Sequence, residues 1–583
     1  MAVKAQYPLG CWAFLLLLWH GTCLLLDFNL QQAQTMRQNI KRGGIQRKTK
    51  LGSQLELACQ KGVNLMDQKR YEDAQLIFKT ILCENPTHYA AQMNQGVCFL
   101  AAEQYDEAAE IFHAVHAANP TDLKALYYCG VSFEKIGEFE FACQFLERYL
   151  KEKPHDFSSW VMLGSASSKN GKHSDALKYA MKALSLEPTR ALSYNNLGAT
   201  LMDLELIEEA KTAFDTALAL EPGNLDTLSN LASIETRNEN YHVAIDRYEE
   251  LLSLHTKDSV AYKSVAFTSC FAHLATGQLQ TGWKQYDNGF IPIHESARTP
   301  RRKFNIPQWY GEDIKNKRLL VWGEQGLGDE FWFFSMLKEA QQCCASLLIE
   351  CQPRLVTLLQ RSFPDATVRA SQLGPFTSTD YEVQIPAASL CRIFRSHMED
   401  FAKFKPYIKP DPKLVLQFSE RLQALRPKRL VGICWRSGKI NTQRFKHYLS
   451  LSDLAPILCM ENIEIVNLQY GDCEQEIVAA EQSLNIKIHR WADIDLKDNQ
   501  EQLAAIMSQM DMILTPGTAV MQLAGAMGCP TMAFLRKTPV FFLGQSETPW
   551  FSSIRSFVAP MTEPIQNQVP YMKAYLKELF DIK

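Results

Sequence analysis

The sequence predicts a multidomain protein, an all-α solenoid of short repeats followed by an α/β region with parallel sheets. Three observations carry that expectation. Pro86, Pro120, Pro154, Pro188 and Pro222 stand 34 residues apart without slippage. Beyond residue 317 the hydrophobic pattern changes to short apolar runs separated by helix-length segments. Between them, residues 289–317 carry Pro292, Pro300, Pro307 and the basic run Arg301-Arg302-Lys303, which reads as a linker.

A fixed period of this length is the signature of stacked helix-turn-helix units. Gly62, Gly96, Gly130, Gly164 and Gly198 keep the phase, with Ala232 in the sixth slot. Ala74, Ala108, Ala142, Ala176, Ala210 and Ala244 keep it too, and Tyr71, Tyr105, Phe139 and Tyr241 share another register. Small residues are needed where the first helix of a unit crosses the second closely. A proline after the second helix stops it and turns the chain into the next unit. The pattern resembles the tetratricopeptide repeat over roughly residues 55–256. The phase is lost after Tyr248, and Thr256 stands where a proline is expected. A longer helix is predicted over 259–275 and a closing helix over 279–286, with Trp283 and Tyr286 on one face. Terminal repeats are atypical because they cap an array, so the helical domain is expected over 55–288.

Length and composition bound the rest. At 583 residues the chain is too long for one core. A net charge of −3 gives no sign of a nucleic-acid partner. Sixteen cysteines follow no bridge or ligand spacing, which fits a reducing compartment. Residues 1–54 read as a hydrophobic segment and a basic linker. Residues 9–26 are apolar except for His20 and Thr22, at the lower limit of length for a membrane span. No A-x-A-like site precedes Asp27. Arg37, Lys41, Arg42, Arg47, Lys48 and Lys50 follow, and such a cluster holds the next domain in the cytoplasm. A membrane anchor, an unusual signal, and an untranslated extension with Met36 as the start all remain open. The expected location is cytoplasmic, with or without that anchor.

In the second half, strands are expected at 318–322, 347–350 and 381–385, then at 430–435, 463–468, 487–489, 512–515 and 531–535. Strands alternating with helices imply parallel sheets. A junction near 425–429 divides two Rossmann-like halves, 318–428 and 429–583, and ligands bind at the carboxyl ends of such strands.

Three segments at those ends carry candidate chemistry. Gly323-Glu-Gln-Gly-Leu-Gly-Asp329 follows a strand and opens a helix, where glycines let backbone N–H groups approach an anion. It is neither a P-loop nor a G-x-G-x-x-G fingerprint, and a tight turn with Asp329 as helix cap is the plain alternative. Thr515-Pro-Gly-Thr-Ala-Val-Met-Gln-Leu-Ala-Gly-Ala-Met-Gly528 places Thr518 at a second helix start suited to a diphosphate. Ordinary helix-on-sheet packing also accounts for its small residues. Trp435-Arg-Ser-Gly-Lys439 offers Arg436 and Lys439 to neutralise phosphates, or forms a solvated basic loop. Gln469-Tyr470-Gly471 also ends a strand.

These segments after a repeat array resemble tetratricopeptide-repeat proteins carrying a heptosyltransferase-type glycosyltransferase domain of the two-Rossmann GT-B fold. The matching runs include Val321-Trp-Gly-Glu-Gln-Gly-Leu-Gly-Asp329, Leu348-Ile-Glu-Cys-Gln-Pro353, Gly432-Ile-Cys-Trp435, the helix from Thr518 to Gly528, and Pro549-Trp-Phe551. The resemblance implies sugar transfer from a nucleoside-diphosphate sugar, with inversion, no metal and no cofactor beyond that donor. It implies Asp329 as the base on the acceptor hydroxyl and Thr518 at the diphosphate. Gly323, Glu324, Gln325, Gly326, Gly328, Arg436, Lys439, Gln469 and Gln522 complete the expected donor site. A carboxylate in a closed cleft suits the base role. Departures are visible. Where the family reads Asp-Thr-Ala-x-x-His, this chain has Gly517-Thr-Ala-Val-Met-Gln522. His447-Tyr448-Leu449 and Pro539-Val540-Phe541 replace two further polar runs. Such losses make a non-catalytic scaffold the second reading.

The repeat groove offers a further clue. Asn94, Asn196 and Asn230 lie two residues before the repeat glycine or alanine, and Gln60, Tyr128 and Met162 fill the other slots. This resembles the asparagine ladder of the O-linked N-acetylglucosamine transferase superhelix, which implies a protein or peptide partner clamped by its backbone. An amide donates and accepts, so it pairs with an extended chain of any sequence. A bland solvated face is the alternative.

Overall fold

The computed structural model describes residues 44–291, 298–372, 380–438, 447–560 and 563–582. The expected segment at 9–26 and the candidate Lys439 lie outside them. The chain divides into two compact units, Met1–Leu220 and Glu221–Lys583.

Among its described residues the first unit is all helix: Gly44–Asp67, Tyr71–Glu84, Tyr89–Ala101, Tyr105–Ala118, Leu123–Ile136, Phe139–Glu152, Phe157–Lys169, His173–Leu186, Ala191–Asp203 and Ile207–Leu220. The repeat glycines show why these helices pair as they do. A Cβ on Gly62 would lie 2.6 Å from the Phe78 ring, on Gly96 2.6 Å from Phe112, and on Gly198 2.7 Å from Phe214. Each ring is fully buried. The glycine is thus the socket for a large side chain of its partner helix, and any larger residue there overpacks the pair. Each proline sits just after the helix end, as Pro86 follows Asn85. Two residues beyond the proline, His88, Asp122 and Asp156 cap the next helix through Ala91, Ala125 and Ser159.

The second unit opens with Leu225–Arg237, Tyr241–Leu254, the 16-residue helix Val260–Ala275 and the short closing helix Leu279–Tyr286. Ser259 caps the long helix through the Tyr262 N–H. Phe267, Cys270, Leu274, Trp283 and Tyr286 enter one hydrophobic core with residues of both sheets. The stretch read from sequence as a linker is built into this fold from residue 298 onward. Arg298 and Trp309 are buried, and the Trp309 N–H bonds to the Gln384 carbonyl. A run dense in proline and charge hides those two anchors.

The first sheet holds β1 Ile314–Trp322, β2 Cys344–Cys351, β3 Thr367–Ala370 and β4 Val383–Pro386, in the order β3-β2-β1-β4. The second holds β5 Arg429–Ile433, β6 Ile463–Asn467, β7 Ile488–His489, β8 Met512–Pro516, β9 Thr531–Arg536 and β10 Ile554–Ala559, in the order β10-β9-β8-β5-β6-β7. All pairings are parallel. In both sheets the first strand lies beside the fourth, so the chain reverses its winding there. Ligands of such sheets sit at that reversal, beyond the carboxyl ends of the strands. The sequence pattern misses β3 and β10. Both are edge strands with polar residues among the apolar ones, so neither reads as an apolar run. No helix among the described residues is long and apolar enough to cross a membrane.

Candidate functional site

After β1 the chain turns through a loop that is fastened at every residue. The Gly323 N–H bonds to the Glu350 carbonyl at 2.7 Å, and a Cβ there would collide with Glu330. Glu324 is buried and paired with Arg298, whose Nε lies 2.6 Å from Oε2, and it accepts from the Ala388 N–H. Gln325 adopts a left-handed conformation, φ 64°, and its amide donates to the Tyr286 hydroxyl at 2.8 Å. Gly326 then starts the helix Leu327–Phe333, donating its N–H to Asp329 Oδ2 at 3.0 Å. Burial pushes the Asp329 carboxyl up to about 6 against that hydrogen bond, with the charge of Glu324 adding to burial. Glu330, on the other face, is pushed up to about 8 chiefly by burial and accepts from the Gln352 N–H.

A second loop follows β8. Thr518 begins the helix Ala519–Met527, which ends on left-handed Gly528. The Thr518 side chain does not cap this helix, and its first turn carries no acid. The two loops meet closely. A Cβ on Gly328 would lie 3.2 Å from Gln522 Oε1 and 3.4 Å from the Ala519 Cα.

Between the loops lies a cavity of about 930 Å³. Gln325, Gly326, Gly328, Asp329, Thr518 and Gln522, all expected from the sequence, line it together. Asp329 is its one carboxylate among the described residues, Lys497 and Arg536 bring positive charge, and Arg354 lines it while paired with Asp498 at 3.3 Å. Backbone carbonyls of Pro560 and Glu563 hold the Arg536 guanidinium. Val540, Phe541, His447 and Tyr448, from the two altered runs, also line it, as do Phe267 and Phe271 of the long helix.

Four expected residues are elsewhere. Gly323 and Glu324 lie behind the loop, where Glu324 answers the buried charge of Arg298. Arg436 is paired with Glu476, Nε to Oε1 at 2.9 Å, and donates to the Asp472 carbonyl, so its charge is spent on the protein. Gln469 is buried and braces the turn after β5, accepting from the Trp435 and Arg436 N–H groups at 3.0 Å each. Sequence reasoning missed Arg354, Lys497 and Arg536. Arg354 directly follows the Leu348–Pro353 run and Arg536 ends β9, so position after a strand was the signal available.

In the first unit, Asn94 lines a separate cavity of about 580 Å³ between Tyr89–Ala101 and Leu123–Ile136. Asn196 does not open onto a groove. It is buried, and its Nδ2 packs against Gly164. Asn230, in the second unit, is half-buried on Leu225–Arg237.

Residues 59–122 and 99–157 match the tetratricopeptide-repeat family, and residues 130–262 match the TPR domain of cytochrome c-type biogenesis protein H. The helical array is a tetratricopeptide-repeat solenoid. Protein FlbA of Caulobacter vibrioides is 33% identical over 304 residues, covering 49% of this chain and 50% of FlbA. The chain therefore spans about half the length of that relative. Among solved structures, YrrB, described as a TPR protein with an unusual peptide-binding site, is 20% identical with a TM-score of 0.28, covering 29% of this chain and 88% of YrrB. A MamA structure from Desulfovibrio magneticus RS-1 is 19% identical with a TM-score of 0.28, covering 29% of this chain and 96% of MamA.

Proposed function

We propose that this protein is an inverting glycosyltransferase of the GT-B type whose repeat array binds a protein acceptor or partner. One observation carries the reading: a carboxylate raised to about 6 and an uncapped helix start face one cavity. A base of that pKa is mostly ionised at neutrality, yet basic enough to accept a proton when a hydroxyl attacks. Asp329 takes the proton of the acceptor hydroxyl as its oxygen bonds the anomeric carbon and the nucleoside diphosphate departs. Charge developing on the leaving diphosphate falls at the start of Ala519–Met527, in a cavity that Lys497 and Arg536 also line. The domain limits 55–288, 318–428 and 429–583 and a cytoplasm-facing location, with residues 9–26 at a membrane, belong to the same reading.

A second reading, a non-catalytic scaffold, draws on Arg436. Its charge is consumed by Glu476, so the cleft lacks one of the two cations expected after β5. Calorimetric titration of the full-length protein with a panel of nucleoside diphosphates separates the two. The transferase reading expects one of them to bind; binding of none at millimolar concentration overturns it.

A further inference from the structure

We infer that the acceptor hydroxyl is phenolic, carried on a tyrosine-like ring that seats against an aromatic wall beside Asp329. This rests on the transferase reading and adds the chemical class of its acceptor. Six rings line the cleft in unbroken succession. Between centroids, Phe271 lies 5.5 Å from Phe267, Phe267 5.4 Å from Tyr286, and Tyr286 6.4 Å from Phe333. Phe333 then lies 5.6 Å from Trp332, and Trp332 5.4 Å from Phe541. The long helix Val260–Ala275 supplies one end of this wall and the short helix Pro539–Phe542 the other. The wall reaches the base through Tyr286. Its hydroxyl accepts from the Gln325 amide at 2.8 Å, and Gln325 directly precedes Gly326, whose N–H Asp329 holds.

A single hydroxyl matches the polar groups present there. Of the six rings, only Tyr286 and Trp332 carry a polar atom. The Tyr286 hydroxyl is engaged by Gln325. The Trp332 indole N–H, on a side chain more than nine-tenths buried, has no hydrogen-bond partner among the described residues. Trp332 and Asp329 stand three residues apart on Leu327–Phe333 and so share one helix face. A phenol facing them gives its proton to Asp329 and accepts from the Trp332 N–H. A saccharide carries a hydroxyl on most of its carbons, and each needs a partner once buried, which this wall does not offer. A serine or threonine hydroxyl lies close to its peptide backbone and would draw unpaired N–H and C=O groups against the rings. A phenol holds its oxygen a full ring away from that backbone, and the ring gains from edge and offset contacts with the wall.

Charge and acidity agree with this choice. Arg298, whose guanidinium lies over the Tyr286 ring, is answered by Glu324 and Asp287 behind the wall. Burial and the charge of Glu324 raise Asp329, and among the described residues no cation offsets them. An anionic acceptor would meet only that carboxylate at its hydroxyl end. An ammonium group would be attracted, but it holds no electron pair for attack until it loses a proton. Among protein hydroxyls the phenol, with a pKa of about 10, lies nearest in acidity to a base raised to about 6. In the transfer step the phenolic oxygen bonds the anomeric carbon of a nucleoside-diphosphate sugar. The bond from that carbon to the diphosphate breaks, the diphosphate leaves with the electron pair, and the phenolic proton passes to Asp329.

The test uses the full-length protein and five small probes: N-acetyl-tyrosinamide, N-acetyl-phenylalaninamide, N-acetyl-serinamide, N-acetyl-lysinamide and methyl glucoside, each titrated by saturation-transfer NMR. The tyrosine probe is expected to bind most tightly, about tenfold better than the phenylalanine probe, the margin of one hydrogen bond to a charged group. Asp329→Ala should erase that margin while the ring still binds. Phe271→Ala should weaken both aromatic probes, and Phe271→Leu, which keeps the apolar volume without the ring, should do so as well if the alanine variant fails to fold. Equal binding of the two aromatic probes removes the hydroxyl from Asp329 and overturns the inference. Tighter binding of the serine, lysine or glucoside probe overturns the acceptor class, and aromatic binding undiminished in both Phe271 variants places the ring elsewhere. A nucleoside diphosphate that binds by calorimetry, with no probe binding, overturns this inference and leaves the transferase reading standing. Probe binding with no nucleoside diphosphate bound overturns the transferase reading and the transfer step with it.

Discussion

The helix starts after β1 and β8 share one backbone geometry and differ in charge, the first carrying acids and the second none. Gly326 and Thr518 each start a helix from extended geometry, φ −120°, ψ 174° and φ −121°, ψ 174°. The first start is closed by its own acid, since Asp329 accepts the Gly326 N–H and Glu330 follows it. The second has no acid in its first turn and no side-chain cap. A helix start attracts negative charge whatever supplies it. Where the chain supplies a carboxylate, the start becomes a holder for that carboxylate. Where it supplies none, the start is left for an anion from outside. One local structure used twice thus gives the cavity a carboxylate on one wall and an uncapped helix start on the other.

Removing the acid from the first loop is the most damaging way to break this pairing. Asp329→Asn should lower sugar transfer by roughly 10²–10⁴-fold, the range for a lost general base. Nucleoside-diphosphate affinity should stay within about twofold, because the anion seat is untouched. Transfer that survives at wild-type rate would remove Asp329 from the chemistry. Giving an acid to the second loop is the reciprocal change. Thr518→Asp should weaken nucleoside-diphosphate binding by about tenfold or more, while the new cap leaves thermal stability equal or higher. Unchanged affinity in that variant would place the anion elsewhere.

The smallest effect concerns the acid load behind the first loop. Glu330 titrates near 8 in the folded protein and at an ordinary carboxylate pKa, 4.5, when unfolded. The folded state therefore keeps a proton that the unfolded chain releases, and stability falls as pH rises from 4.5 through 8. Glu330→Gln, neutral throughout, should melt at a higher temperature than the parent at pH 8–9 and close to it at pH 5. A parent whose melting temperature is flat across that interval would contradict the buried, protonated carboxyl.

The solenoid was legible because its signals are local. Proline, glycine and capping residues act within one helical turn or one hairpin, and their phase repeats in the chain. The strands were legible where both faces are buried, as in the ends of β1 and β8, and not at the edges. The site was legible as two loops but not as a set of side chains. Glu324 and Arg436 stand at strand ends like any ligand-binding residue, yet their partners are Arg298, 26 residues back, and Glu476, 40 residues ahead. No periodicity announces such a pairing. Asn196 misled in the same way, since a position in the repeat does not say which face of the helix is covered.

The shared core of the closing helices and the two sheets bears on ancestry. Phe267 and Phe271 line the cleft from a helix that the repeat count assigns to the array, and Trp283 and Tyr286 pack against the α/β residues. A gene segment that began at residue 318 would encode an α/β part with one wall missing and an apolar face bare to water. Recombination that exchanges repeat arrays in proteins built this way must therefore cut upstream of residue 260. The heritable module is longer than the α/β domain, and its border lies inside the repeats.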